Sequence, residues 1–326
     1  MIAYIVRRLL HAVPILIGVN LITFALFFFV NSPDDMARIH LGVKRVTPEA
    51  IAKWKEDRGF NRPLFYNAAA AGADKVADTI FFRHSVRLFA GDFGRSEDGR
   101  DIRREIFQRM WPSVAIALPT FAVGILVYIT FAMLLAFFRG TYLDAWGVVA
   151  CVGMMSVSTL FYVIGGQYLV SKLWHLVPIS GYDAGGLHAL KFLALPVIVG
   201  VVSGVGSSTR LYRSFFLEEI GKDYVRTARA KGLSEPRVLF RHVLGNALIP
   251  ILTGVVVVIP LLFVGSLIME SFFGIPGLGS YTIDAITSQD FFVVRAMVFL
   301  GAVLYIVGLI LTDISYSLAD PRVRLE

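Results

Sequence analysis

Six stretches of this sequence, at 9–31, 112–138, 146–171, 192–209, 246–269 and 293–314, are apolar with no charged side chain in their interiors. An α-helix needs about 20 apolar residues to cross the hydrocarbon core of a bilayer. Lipid offers no water to a peptide N–H or C=O, so a segment in it must pair its backbone internally. These two facts direct the chain to an all-α bundle of six membrane spans. Overall, 56% of residues are hydrophobic and 17% charged, against roughly 45–50% and 25% in soluble domains, and the excess lies in those stretches.

The first stretch follows Arg7-Arg8 and is interrupted only by His11 and weakly polar residues. It is longer than the core of a signal peptide and no small-x-small cleavage site follows it, so it is expected to stay as an anchor over 1–31. Trp111, Trp146 and Trp174 fall near span ends, where amphipathic rings favour the headgroup level. Six spans put both termini on one side. With the N-terminus inside, the segments 1–8, 139–145, 210–245 and 315–326 carry 13 Lys/Arg, which favours cytoplasmic termini. The long segment 31–111 holds 15 basic and 12 acidic residues, and segments of that length translocate largely regardless of charge. Residues 32–111 are expected to form a small helical extracytoplasmic cap, with Thr47 and Pro48 as a helix start. Residues 112–314 then make a five-helix core that contains the cytoplasmic loop 210–245, and 315–326 make a cytoplasmic tail.

Several chemistries find no support. The one cysteine, Cys151, lies in an apolar stretch and reads as a small buried hydrophobe. No Cys/His spacing resembles a metal site. Residues Glu270, Arg295 and Asp313 sit only at span edges, which disfavours a proton-coupled carrier or an intramembrane protease. No catalytic residue is proposed. Gly221-Lys222 is followed by Asp223 and lacks the earlier glycine of a phosphate loop, so the chain has no ATP cradle of its own. The net charge of +7 is assigned to cytoplasmic loops and lipid contacts in preference to nucleic acid.

The loop between the fourth and fifth spans is the most informative. It reads as two short helices around Gly232. Asp223 is expected to cap the first, from Tyr224 to Lys231, and Gly232 to end it in the left-handed conformation. Ser234 is expected to cap the second, with Pro236 in its first turn. Arg226, Arg229 and Lys231 would favour the negative end of the first helix. The product is an exposed knob suited to a partner's groove, although a charge run between spans is more often a solvated face.

This loop resembles the coupling loop of ABC importer permeases, and more closely the version in dipeptide/oligopeptide (peptide/nickel) permeases of first-permease type. Thr227-Ala228 and Gly232 stand where that pattern has Ala-Ala-x-x-x-Gly, and Arg226 stands where the general pattern has Glu. The interval from Gly232 to Pro250 is longer than in the general motif, as in the peptide subfamily. Glu270-Ser-Phe-Phe-Gly-Ile-Pro-Gly-Leu-Gly279, Asp290-Phe-Phe-Val-Val, Gly91-Asp-Phe-Gly-Arg-Ser96 and Asp320-Pro-Arg-Val-Arg324 resemble further elements of the family. Phe stands after Asp290 where Tyr-Pro is common.

The resemblance implies a type I importer fold and an inner-membrane subunit working with a second homologous permease. It also implies two ATP-binding subunits, which would hold ATP and magnesium, and an external solute-binding protein. The coupling contact would then fall on Asp223, Tyr224, Arg226, Thr227, Ala228, Arg229, Lys231, Gly232, Ser234 and Pro236. For the translocation path the candidates are Ser156, Ser158, Thr159, Tyr162, Ser266 and Glu270, though helix packing explains small hydroxyl residues equally well. Glu270 is read as a rim charge. Di- or oligopeptides are the expected cargo. Relatives carrying nickel chelates, opines, glutathione or oligosaccharides leave those alternatives open, and a channel or secondary carrier without ATPases is the reading from another class.

Overall fold

The structure, a computed structural model, describes residues 2–30, 32–42, 47–183 and 185–319. Among these it is helical, with one isolated bridge, Arg95 to Asp101, as its only strand-like pairing. In chain order the helices are α1 (Ile2–Val30), α2 (Pro33–Leu41), α3 (Pro48–Asp57), α4 (Asp74–Ala77), α5 (Ile80–Phe89) and α6 (Ile102–Phe137). They continue with α7 (Tyr142–Ser156), α8 (Thr159–Gly166), α9 (Gly186–Ile220), α10 (Asp223–Ala230), α11 (Glu235–Val238) and α12 (Leu244–Val258). The last are α13 (Leu267–Phe273), α14 (Leu278–Thr287) and α15 (Phe291–Ala319). A π-helical turn, Leu239–Val243, joins α11 to α12, and a 3-10 turn, Ile259–Phe263, follows α12. The Asp-Pro-Arg element at 320–324 lies outside the described residues.

Among the described residues, five helices are long and apolar enough to cross a membrane: Arg7–Val30, Ile102–Phe137, His188–Ile220, Glu235–Phe263 and Phe291–Ser315. The stretch 146–171, expected as one span, is a pair, Tyr142–Ser156 and Thr159–Leu173, bent by 88°, and counted as one broken span it brings the number to six. The cause is local. Val157 is extended (φ −88°, ψ 128°) and Ser158 is too (φ −61°, ψ 143°), which interrupts the helical ladder. Ser158 then restarts it by accepting the Leu160 N–H with its hydroxyl.

The chain divides into two compact units, Met1–Gln108 with Asp284–Ile306, and Arg109–Ile283 with Val307–Glu326. The first gathers the short helices α2 to α5 around an aromatic core. Phe24, Met36, Trp54, Phe60 and Ile80 are buried there, with Phe291 and Phe292 packed against them. Helix starts are fixed by side chains that replace missing intrahelical partners. The Ser32 hydroxyl accepts the Asp35 N–H while Asp35 accepts the Ser32 N–H, closing a capping box on α2. Thr47 accepts from Ala50 N–H with Pro48 at the first position of α3, as the sequence leads one to expect. Asp290 starts α15 by accepting the Val293 N–H at 3.2 Å, and the same carboxylate takes the Glu97 N–H at 2.8 Å. The motif that begins at Asp290 is therefore tied to the residue that follows Gly91–Ser96.

In the second unit α7 and α9 approach closely. A Cβ at Gly206 would stand 2.4 Å from the Cys151 carbonyl oxygen and 2.9 Å from the Met155 nitrogen. Small residues at such crossings let backbones touch where lipid supplies no hydrophobic drive. Near one end of this pair Asp144, 8% exposed, accepts two bonds from Arg213, at 2.8 and 2.7 Å. Such a planar bidentate pair fixes both distance and orientation.

Two outcomes follow. Gly206→Val is expected to lower the stability of the purified protein by about 1–3 kcal/mol or more through overpacking, read as a drop in thermal midpoint in detergent. His84, in α5, is held below its ordinary value, at about 4 in place of 6.5, first by burial and then by the nearby Arg295 and Arg87 charges. Its folded pKa is lowered, so between pH 6.5 and 4 the unfolded segment binds a proton that the folded one refuses. Protection of α5 amides from hydrogen exchange, corrected for intrinsic rates, should fall as pH drops through that window. A His84→Leu variant should lose that dependence.

Candidate functional site

Two features of the second unit carry functional geometry. One is a cavity of about 570 Å³ among α6, α9, α12 and α13. Its walls are mainly apolar, with hydroxyls from Ser113, Thr120, Tyr128, Ser203, Ser208 and Tyr212 spaced along them. Of the residues proposed from sequence for a translocation path, Thr159, Ser266 and Glu270 line this cavity. Ser156, Ser158 and Tyr162 are not among its lining residues. Ser156 returns its hydroxyl to the Val152 carbonyl, Ser158 caps α8, and the Tyr162 hydroxyl donates to the Met154 carbonyl. All three serve the bend after α7. The hydroxyls on α6 and α9 were not singled out in the sequence, because within an apolar helix their period does not separate a wall from a packing face.

Glu270 departs most from its reading as a rim charge. It is 1% exposed. One carboxylate oxygen accepts the Ser266 N–H and the other the Ser280 N–H, both at 3.0 Å. Next to it the Ser113 hydroxyl accepts the Leu278 N–H at 2.8 Å. The carboxylate thus holds the start of α13 to the start of α14 and satisfies amides that no helix pairs. The glycines of the Pro-Gly-Leu-Gly run follow from this. A Cβ at Gly277 would lie 2.2 Å from the Glu270 carboxylate, and one at Gly279 would lie 2.6 Å from the Ser266 carbonyl. Gly274 ends α13 in the left-handed conformation, φ 64°.

The other feature is the loop after α9. That helix runs on to Ile220, and Gly221-Lys222 lead into α10. Lys222 is the N-cap of α10 and no side chain bonds there. Asp223, expected as the cap, is instead the first helical residue, pointing into solvent with Arg226 at 3.4 Å. Gly232 does turn the chain, at φ 80°, a region that costs other residues strain. Ser234 holds the cap position of α11 without a side-chain bond, and Pro236 sits in its first turn. The helix that follows is the beginning of the span Glu235–Phe263 and not a second short helix.

Asp223, Tyr224, Arg226, Thr227, Lys231, Gly232, Ser234 and Pro236 are exposed or half-exposed, while Ala228 is buried and Arg229 half-buried. Ala228 and Val225 face inward, into a cluster with Ala132 and Ala136 of α6, Phe216 and Ile220 of α9, and Val243, Ala247 and Ile251 leading into and along α12. Arg229 reaches across the Gly232 turn to Glu235, with nitrogen to oxygen distances of 2.6 and 3.3 Å. Sequence alone does not point to this clamp, since residues six apart meet only when the turn reverses the chain. Tyr224 donates to Glu219. Partial burial, and then that carboxylate, push its phenol up to about 12, so it remains a donor. Between α10 and the next span lies a basic groove of about 700 Å³, lined by Lys231, Arg237, Arg241 and His242. Among the described residues no cluster of His, Cys, Asp or Glu is arranged to hold a metal ion.

Residues 103–325 match a family described as the binding-protein-dependent transport system inner membrane component, and residues 1–83 match its N-terminal companion. The chain is similar to a di/tripeptide transport system permease protein of Pseudomonas aeruginosa, 32% identical over 99% of both chains. It is similar to a dipeptide transport system permease protein of Escherichia coli, 28% identical over 99% of both. An oligopeptide transport system permease protein of Bacillus subtilis is 29% identical over 99% of this chain and 100% of its own.

Removing the Glu270 acceptor should be costly whatever passes the cavity. Glu270→Ala leaves the Ser266 and Ser280 amides without a partner, at about 1–3 kcal/mol for each. Glu270→Gln keeps one oxygen and should cost about half as much. Thermal unfolding of the detergent-purified variants would rank them in that order.

Proposed function

Because the chain belongs to the binding-protein-dependent transport system inner membrane components, we propose that it conducts short peptides and couples their passage to ATP hydrolysis by partner subunits. Its helical membrane fold is that of type I ABC importers, and the chain is a permease subunit, not an enzyme. The peptide cargo is supported by the names of its relatives, which are di/tripeptide, dipeptide and oligopeptide permease proteins.

The coupling role rests on one observation. The short helix α10 is exposed on its outer side and buried on its inner side against the ends of three long apolar helices. A push on the exposed side therefore reaches α6, α9 and α12 together, because close-packed side chains transmit displacement and do not absorb it. In this reading two nucleotide-binding subunits, which hold ATP and magnesium, grip α10 and the basic groove beside it. A second, related permease completes the pathway, and a solute-binding protein delivers cargo from outside. Both termini lie in the cytoplasm of a bacterial cell, and the chain resides in the inner membrane. The pathway in this chain is the cavity lined by Thr159, Ser266 and the hydroxyls of α6 and α9. Apolar walls with sparse hydroxyls suit a cargo whose side chains vary, since few fixed polar groups demand a partner. Cycling then proceeds by rocking of packed helices around that cavity.

Uptake of labelled di- to hexapeptides by intact cells, with and without this gene and before and after ATP depletion, tests the reading. Deletion is expected to remove ATP-dependent uptake, and the wild-type chain to restore it. Gly232→Pro should insert normally yet reduce uptake by at least about tenfold, because the left-handed turn and the Arg229–Glu235 clamp are lost together. Uptake that follows the proton gradient, or is normal in a stably inserted Gly232→Pro variant, would refute the coupling role.

A further inference from the structure

The first unit holds a cavity of about 340 Å³, separate in its residues from the one assigned to passage. At its inner side is Arg295, 8% exposed. One guanidinium nitrogen donates to the His84 carbonyl at 3.2 Å, and Nε makes no hydrogen bond. No carboxylate pairs with it among the described residues. Two buried or half-buried acids of this unit are committed elsewhere. Asp290, at the head of the same helix, holds the amides of Glu97 and Val293. Glu97 is paired with Arg58 and lies 3.7 Å from His40. His84 beside it is kept neutral by burial and by the Arg295 charge, so it offers no compensation. The other carboxylates at this cavity, Asp57 and Asp92, lie toward solvent, as do Arg87 and Arg95.

A buried charge is ordinarily paired or bonded to the full extent of its donors. A planar guanidinium presents donors at the spacing of two carboxylate oxygens. Here the charge is fixed in place, borders a space, and has only a neutral acceptor. We propose that this cavity is a carboxylate-binding site, in which Arg295 receives a small organic acid or the C-terminal carboxylate of a short peptide. The volume is at the low end of small-molecule pockets, which fits a ligand between an amino acid and a dipeptide in size. The peptide as source rests on the function proposed above; the carboxylate itself does not.

The test uses the chain purified with its partner subunits in lipid nanodiscs, at constant ionic strength in chloride. Calorimetric titrations with acetate, Ala-Ala and Ala-Ala-amide are compared. Ala-Ala should bind at least about tenfold tighter than its amide, the equivalent of one charge-assisted bond. Arg295→Gln should abolish that preference, and Arg295→Lys, which keeps charge without the fork, should retain part of it. Competition by acetate would assign the site to carboxylates in general, and its absence to peptides. Equal binding of acid and amide by the wild-type complex overturns the proposal without need of any variant. So does an unchanged preference for the acid in Arg295→Gln. Absence of ATP-driven peptide uptake would sink the importer reading, while the comparison of acid with amide still decides the role of Arg295 by itself.

Discussion

Every backbone amide that enters lipid must find its partner within the protein, and the architecture follows from where that rule is met by helix and where it is met by side chains. The long helices satisfy it by themselves. At the interruptions a named side chain takes over. Ser158 restarts the ladder after the bend, Glu270 and Ser113 hold the amides around the Pro-Gly-Leu-Gly turn, and Asp290 starts the last helix. These are also the places where the chain changes direction. The elements a transporter would move are thus defined by a handful of polar side chains, not by the apolar bulk.

The second unit shows how a small exposed element gains purchase on large buried ones. Helix α10 is only eight residues long and would not persist alone. It is fixed by Val225 and Ala228 on one side and by the Arg229–Glu235 clamp across the turn. A part-buried Asp144–Arg213 pair ties α7 to α9, the helix that leads into α10. Stiffness is what the proposed coupling role requires, since any give in α10 would dissipate the stroke.

Much of this was legible in the residues. Uncharged runs of membrane length located the spans, and Gly232 announced its left-handed turn because few other residues tolerate one. Thr47-Pro48 marked a helix start for the same sort of local reason. What escaped was set by tertiary contact. The 88° bend at Val157-Ser158 lies in an apolar run that continues on both sides, with no glycine or proline at the break to mark it. Glu270 looked like a rim charge because a carboxylate beside an apolar span normally is one. Only folding brings the amides of Ser266 and Ser280 to it. Ala228 reads as part of an exposed motif, and its burial depends on helix ends more than 80 residues earlier in the chain, at Ala132 and Ala136.

The bend after α7 has a mechanical meaning. A straight helix carries a displacement along its axis and acts as a rod. Two arms joined at close to a right angle turn axial travel of one into sideways sweep of the other, as a crank does. Both arms pack on α9, α7 backbone to backbone through Gly206, and α8 through a cluster in which Val163 joins Leu195 and Val199 of α9 with Met269 and Phe273 of α13. Sliding of α9 would therefore act on both arms at once and reach α13 through the cluster it shares with α8, beside the cavity that Glu270 lines.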